Sequence, residues 1–312
     1  MMRTEGRSTV ECAREAARDA VAWVMAQHPD RFAVDAQCLL AEAGMATEPS
    51  WLRRRKLELV RDAHLSDGGY ESKYGGGEPS VLWTADAARR LHLAGDEQRL
   101  LPALLWLKKR QLPDGSWLES EAVPWGRGWY RAPGAHLWIT AAVTQSLWGV
   151  PAAAPLTRRA MTFLERAVGQ YGRLASSPDP DLALRVAGFD LFSTAVVAEL
   201  FRLLGRPFPA AAEAVEYLLG RQQEDGSWEG AADPTQAVVS ALVQFGCAGR
   251  AETERGVRAL LTWRTDDGSF THCPGERGDW TLTAYTARTL HRYAQAAGPA
   301  AAVSTDDTRR SG

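Results

Sequence analysis

Apolar residues recur three and four positions apart along most of the chain, the spacing that lines one face of a helix. Ala103, Trp106 and Leu107 form one such group, and Ala214, Tyr217 and Leu218 another. The stretches come in pairs. First members are predicted near 8–28, 51–64, 97–110, 156–170, 209–222 and 252–264. Second members are predicted near 31–44, 79–93, 134–148, 188–204, 233–247 and 279–294. Each pair repeats after roughly 40 to 55 residues, the period of a helical-hairpin array. One hairpin alone cannot bury its apolar face, so hairpins must stack. The fold class expected is all-α, an (α/α)6 toroid forming one domain over 1–295. The small and polar stretch 296–312 is read as a disordered tail.

A turn phrase punctuates the pairs. It reads Asp114-Gly115-Ser116-Trp117, then Asp225-Gly226-Ser227-Trp228, then Asp267-Gly268-Ser269-Phe270, with a weaker copy at Asp67-Gly68-Gly69-Tyr70. Glycine ends the first helix and takes a turn conformation that other residues resist. A Gln at the helix end, Gln111 or Gln222, can bond free backbone groups of the turn. The Trp then ties neighbouring repeats together. These tryptophans are therefore read as staples and not as ligand-binding groups.

The phrases resemble the QW repeat of squalene–hopene and oxidosqualene cyclases. Ala103, Trp106, Leu107, Gln111, Gly115 and Trp117 follow its pattern, as do Ala214, Tyr217, Leu218, Gln222, Gly226 and Trp228. The β-subunits of protein prenyltransferases share the toroid, so the repeat speaks for the fold more than for one reaction. The resemblance implies an isoprenoid substrate in a central aromatic-lined cavity. In class II terpene cyclases it implies an acidic DxDD motif, followed by Thr-Ala, whose middle Asp protonates an alkene.

Here the best register for that motif is Asp190-Leu191-Phe192-Ser193-Thr194-Ala195. Phe192 stands at the proton-donating position and cannot donate a proton. The zinc signature of the prenyltransferases maps to Asp233-Pro234-Thr235 and Asp279 through Leu282, with Thr235 in place of Cys and Leu282 in place of His. No metal site of that type is expected, because zinc needs three or four good ligands. His272-Cys273 is read as an adjacent pair on a surface loop. Mg²⁺ enters only if the substrate is a diphosphate.

Polar residues recur at the predicted starts of the second helices. Four positions before Thr84, Thr140, Thr194 and Thr283 lie Ser80, His136, Asp190 and Asp279, and Asp233 lies at a fifth start. Capping explains Asp and Ser there, and an acid at a cavity mouth is the other reading. Candidate catalytic residues are Asp190, Asp279, Asp233 and His136. Candidate substrate-binding residues are Trp83, Trp138, Phe192, Trp280 and Tyr285, bulky or aromatic groups suited to a polyene. Arg127, Trp129 and Arg131 join them, since arginines among aromatics can hold a diphosphate or carboxylate.

Bulk properties narrow the classes. A formal net charge of −2 gives no electrostatic case for nucleic acid. The apolar runs are interrupted, as by Asp190 and Glu199, and none reaches the roughly 20 residues of a membrane span. Cys12, Cys38, Cys247 and Cys273 are scattered, which fits a reduced, cytoplasmic setting. The function expected is a non-standard terpene cyclase-like enzyme acting on a polyprenyl substrate. The alternative is a non-catalytic isoprenoid- or lipid-binding or scaffold protein of the same fold. A partner enzyme is left open.

Overall fold

The computed structural model describes residues 7–28, 30–72, 75–123, 134–175, 179, 190–208, 210–273 and 275–298, the side chains of 172–175 excepted. Twelve α-helices run through the described residues, and they match the expected pairs one for one. They are α1 (Thr9–Met25), α2 (Arg31–Glu42), α3 (Ser50–Asp62), α4 (Val81–Leu93), α5 (Glu97–Arg110) and α6 (Ala135–Leu147). They continue with α7 (Ala154–Ala175), α8 (Leu191–Leu203), α9 (Ala211–Gly220), α10 (Ala232–Gln244), α11 (Ala251–Thr262) and α12 (Trp280–Ala296). A 3₁₀ turn at Pro151–Ala153 leads into α7.

Local chemistry sets the boundaries. Ser8 and Glu11 form a capping box on α1, each side chain satisfying backbone donors of the other's turn. Asp30 caps α2 by accepting from the N–H groups of Phe32 and Ala33. The buried face of α1 is Ala13, Ala16, Ala17, Ala20 and Val24, spaced so that small side chains let neighbouring helices approach.

The chain divides into two compact units, Met1–Leu52 with Leu218–Gly312, and Arg53–Tyr217. In the first, α12 packs against α2 and α10, with α1 and α11 outside them. In the second, α6 packs against α4 and α8, with α5 against α4 and α7 against α6. Within each unit the second helices of the pairs therefore form one layer and the first helices another.

The Asp-Gly-Ser-Trp turns join the layers. Gly115 has φ +99°, and a Cβ there would lie 2.4 Å from the carbonyl oxygen of Arg159 in α7. The Gln111 amide donates to the carbonyls of Gly115 (2.9 Å) and Leu156 (3.0 Å), one in its own turn and one in α7. Gln222 repeats this on Gly226 and Glu252. Trp117 and Trp228 are fully buried, and their indole N–H groups donate to the carbonyls of Leu107 (3.0 Å) and Leu218 (2.6 Å).

Threonines near the starts of four second helices, three of them in Thr-Ala pairs, close the same turns. The backbone N–H of Tyr70, Trp117, Trp228 and Phe270 donates to Oγ1 of Thr84 (3.0 Å), Thr140 (2.9 Å), Thr235 (2.9 Å) and Thr283 (2.9 Å). Four second helices, α4, α6, α10 and α12, are thus each latched to the turn before them by one buried hydrogen bond.

Candidate functional site

In the first unit, two helix starts and one loop converge. Asp233 lies in the first turn of α10, and Asp279 caps α12 by accepting from the N–H of Leu282 at 2.7 Å. His272, in the loop before α12, stands between them. Its Nδ1 is 2.6 Å from Oδ2 of Asp233, and its Nε2 is 3.8 Å from Oδ2 of Asp279. The bond to Asp233, then that to Asp279, pushes the imidazole up to about 10, against the opposing effect of partial burial. At neutral pH the group is an imidazolium held by two carboxylates. All three side chains are a little over one-third exposed. The helix start is walled by Trp280, whose ring lies 4.8 Å from that of Trp23, while Trp23 Nε1 donates to Asp267. One turn on, the guanidinium of Arg288 lies 5.0 Å above the half-exposed ring of Tyr285.

The second unit presents the starts of α4, α6 and α8. Asp190 accepts from the N–H of Ser193 at 2.6 Å, the cap its position leads one to expect. Phe192 meets Trp138 edge to face at 5.7 Å, and Trp138 and Leu82 pack on one apolar cluster. Trp83 is half-buried at the start of α4. His136 lies against Phe163 of α7 at 5.7 Å, on the side of α6 that meets the outer layer. Arg127, Trp129 and Arg131 lie outside the described residues.

One spacing recurs among the partly or fully exposed positions on these helices. It joins Leu82, Asp86 and Arg89 on α4, Trp138, Ala142 and Gln145 on α6, and Phe192, Val196 and Glu199 on α8, whereas Trp83, Arg90, His92, His136 and Ser146 are half-buried off that line. The i, i+4, i+7 rhythm marks one face on each helix that its neighbours leave uncovered. That face is apolar and aromatic near the helix starts and polar farther along.

Two carboxylates in this unit carry no signal in the local sequence. Glu119 is buried on the start of α4, where Oε2 accepts from Ser80 Oγ (2.6 Å) and the Leu82 N–H (3.3 Å). Its Oε1 accepts from the N–H groups of Val81 (2.8 Å) and Ser120 (3.0 Å). Burial raises this carboxyl above the ordinary Glu value, against all four donors. Asp86 lies 2.9 Å from Lys56 Nζ and 3.4 Å from Arg90 Nε. Burial works to raise it, but Lys56, then Arg90 and Arg89, hold it far below the usual carboxylate range.

This arrangement of latched helix pairs has counterparts among solved structures. The type II terpene cyclase MstE from Scytonema, in complex with geranylgeranyl dihydroxybenzoate as substrate, superposes with a TM-score of 0.59. The match covers 92% of this chain and 99% of that one at 15% identity. The same cyclase with its product merosterolic acid A gives 0.59 at 16% identity over the same shares. A protein from Actinoplanes gives 0.57 at 18% identity, over 91% of this chain and 99% of that one. The chain has the fold of a type II terpene cyclase. That likeness carries the all-α toroid class which the repeats predict. No protein-family model matches the chain, and no curated protein matches it by sequence.

Among the described residues no group of three or more His, Cys, Asp and Glu is placed to hold a metal ion. None of their helices is long and apolar enough to cross a membrane. The terpene cyclase-like frame thus offers two separate assets. One is a charged triad in the first unit, and the other an apolar face with a charged end in the second.

Proposed function

We propose that the protein is a non-standard terpene cyclase-like enzyme acting on a polyprenyl substrate. The observation that carries this reading is the fold it shares with a cyclase solved with a geranylgeranyl substrate. The uncovered face of Leu82, Trp138 and Phe192 supports it, because apolar and aromatic groups suit a polyene and the cations made from it. Phe192 leaves the usual donor position without a proton, so the acid must lie elsewhere. Asp190, at the same helix start as Phe192, is the group proposed.

Its chemistry fits the demand. An alkene is a very weak base, so the donor must part easily with its proton. The carboxylate left behind keeps a ready donor, because the Asp190 side chain accepts from the N–H of Ser193 in the first turn of α8. In the proposed step the O–H bond of Asp190 breaks and a C–H bond forms on the alkene. The carboxylate is later reprotonated from solvent. A final C–H proton lost to water or base closes the balance.

A second reading has its own support. Asp190 and Asp279 both serve as helix caps, which is what a non-catalytic isoprenoid-binding or scaffold protein of this fold would retain. One experiment separates the two. The purified protein is incubated with geranyl, farnesyl and geranylgeranyl diphosphates and with squalene, with and without Mg²⁺. Phosphatase-treated extracts are then analysed by GC–MS. A cyclic product that disappears in Asp190→Asn is the expected result. Unchanged substrates throughout, with binding of one of them, would replace the enzyme by the binder.

A further inference from the structure

We infer that α5 carries a homodimerisation surface, on which a second copy of this chain seats its own α5 antiparallel to the first. The inference is independent of the cyclase reading above. α5 buries Leu100, Ala103, Leu104, Trp106 and Leu107, and packs on α4 and on the 3₁₀ turn at Pro151–Ala153. Its other face carries Glu97, Gln98, Leu101, Leu105, Lys108 and Lys109, all of them exposed. At the helical repeat of 3.6 residues per turn, these six positions fall within about one-third of the circumference. Leu101 and Leu105 stand one turn apart on it, 52% and 57% exposed.

The order of residues on this face is self-complementary. Leu101 and Leu105 lie two residues either side of the level of residue 103, Gln98 and Lys108 five, and Glu97 and Lys109 six. A two-fold axis at that level, perpendicular to the helix, sets Leu101 on the partner's Leu105 and Glu97 on the partner's Lys109. Each contact is then made twice, the isologous pattern of a closed dimer. Within one chain Glu97 and Lys109 stand about 18 Å apart along the helix, too far to pair with each other. Neither they nor Lys108 makes an ion pair among the described residues. The helix dipole favours an acid at the start and bases at the end of a helix, but it does not account for two leucines in water between them. An anionic membrane would favour bases along the whole face, and Glu97 opposes it. One pair of 14-residue helices is small for a specific interface, so the dimer is weak. The leucines supply its affinity, and the end charges fix its register.

The test is sedimentation velocity on the full chain, at low salt, from about 1 μM to about 200 μM. The weight-average mass should rise from that of one chain to at least about 1.5 times that value, as a dissociation constant of about 100 μM or lower requires. Leu101→Gln combined with Leu105→Gln, both at exposed positions, should keep the circular dichroism spectrum and weaken association at least about tenfold. Glu97→Lys and Lys109→Glu should each weaken self-association, because each sets like charges opposite one another across the axis. Mixed one to one, those two variants should associate with each other about as well as the wild type does with itself, since each presents the charge that the other lacks. A chain that stays monomeric over the whole range, or whose association survives the leucine substitutions, would overturn the inference. So would charge variants that associate no better mixed than alone. A monomeric chain that floats with anionic phospholipid vesicles, and ceases to in the leucine variant, would give the face to a membrane instead.

Discussion

Nδ1 of His272 lies 2.6 Å from Oδ2 of Asp233, joining the loop before α12 to the first turn of α10 across 39 residues of chain. The contact gives stability a pH dependence whose sign is fixed. The folded imidazole titrates near 10, chiefly because of Asp233 and then Asp279, against 6.5 for the free group. Its contribution is fully present below about 6.5, declines above that, and is gone once pH passes about 10. Thermal melts of the wild type should therefore fall in midpoint over that window beyond the change seen in His272→Gln. Parallel curves for the two proteins would mean that the imidazole is not held as an imidazolium.

The turn at Gly115 makes a sharper demand on backbone. Its φ of +99° strains any L side chain, and the nearest obstacle to a Cβ is the rigid carbonyl of Arg159, not a movable side chain. Gly115→Ala should cost about 2 kcal/mol or more by urea unfolding. Gly149 has a similar φ of +88° but open space around its missing Cβ. Gly149→Ala should therefore cost only about 1 kcal/mol, the conformational share alone. Equal costs would show that close approach between α5's turn and α7 is not what the glycine provides.

Thr140 tests whether the Thr-Ala pairs are structural. It is fully buried, and Oγ1 takes the backbone N–H of Trp117. Thr140→Val keeps the shape and leaves that N–H without an acceptor, at a cost of about 1 to 3 kcal/mol. Thr140→Ser keeps the acceptor and loses one methyl, at about 1 kcal/mol. The two variants are compared by urea unfolding. A valine variant as stable as the serine variant would remove the latch from the account of the fold.

Much of this architecture was legible because repetition writes it many times. All twelve helices follow from apolar spacing, and starts such as Ser8 with Glu11 or Asp279 before Trp280 carry capping chemistry in adjacent letters. The polar positions before the Thr-Ala pairs were also found, and Asp190 and Asp279 prove to be caps. What local sequence could not supply is pairing across the repeats. His272 reads as half of a His-Cys pair on a loop, since its partner Asp233 lies in the previous hairpin. Asp86 reads as an ordinary helix-surface charge until α3 brings Lys56 to it. The face of Leu82, Trp138 and Phe192 sits between these cases. Repeat register aligned the three positions, and the ring contact of Trp138 with Phe192 adds the proximity that register alone lacks.

Glu119 is the residue farthest from any sequence signal, and its role can be measured. It follows the Trp117 turn and folds back 38 residues to Val81, gathering three donors at the start of α4 and a fourth from Ser120 beside it. Both oxygens are occupied as acceptors, so the group fixes a helix start and has no free lone pair to offer a reaction. Glu119→Gln would replace one accepting oxygen by an NH₂ that faces other donors, a buried mismatch costing about 2 to 4 kcal/mol. Ser80→Ala removes one donor and one modest cap, at about 1 kcal/mol. The double variant should cost less than the sum, because the serine hydroxyl and the carboxylate act on each other at 2.6 Å. Urea midpoints for the four proteins close the cycle. If Glu119→Gln were no worse than Ser80→Ala and the costs simply added, the carboxylate would not be what holds the start of α4 in place.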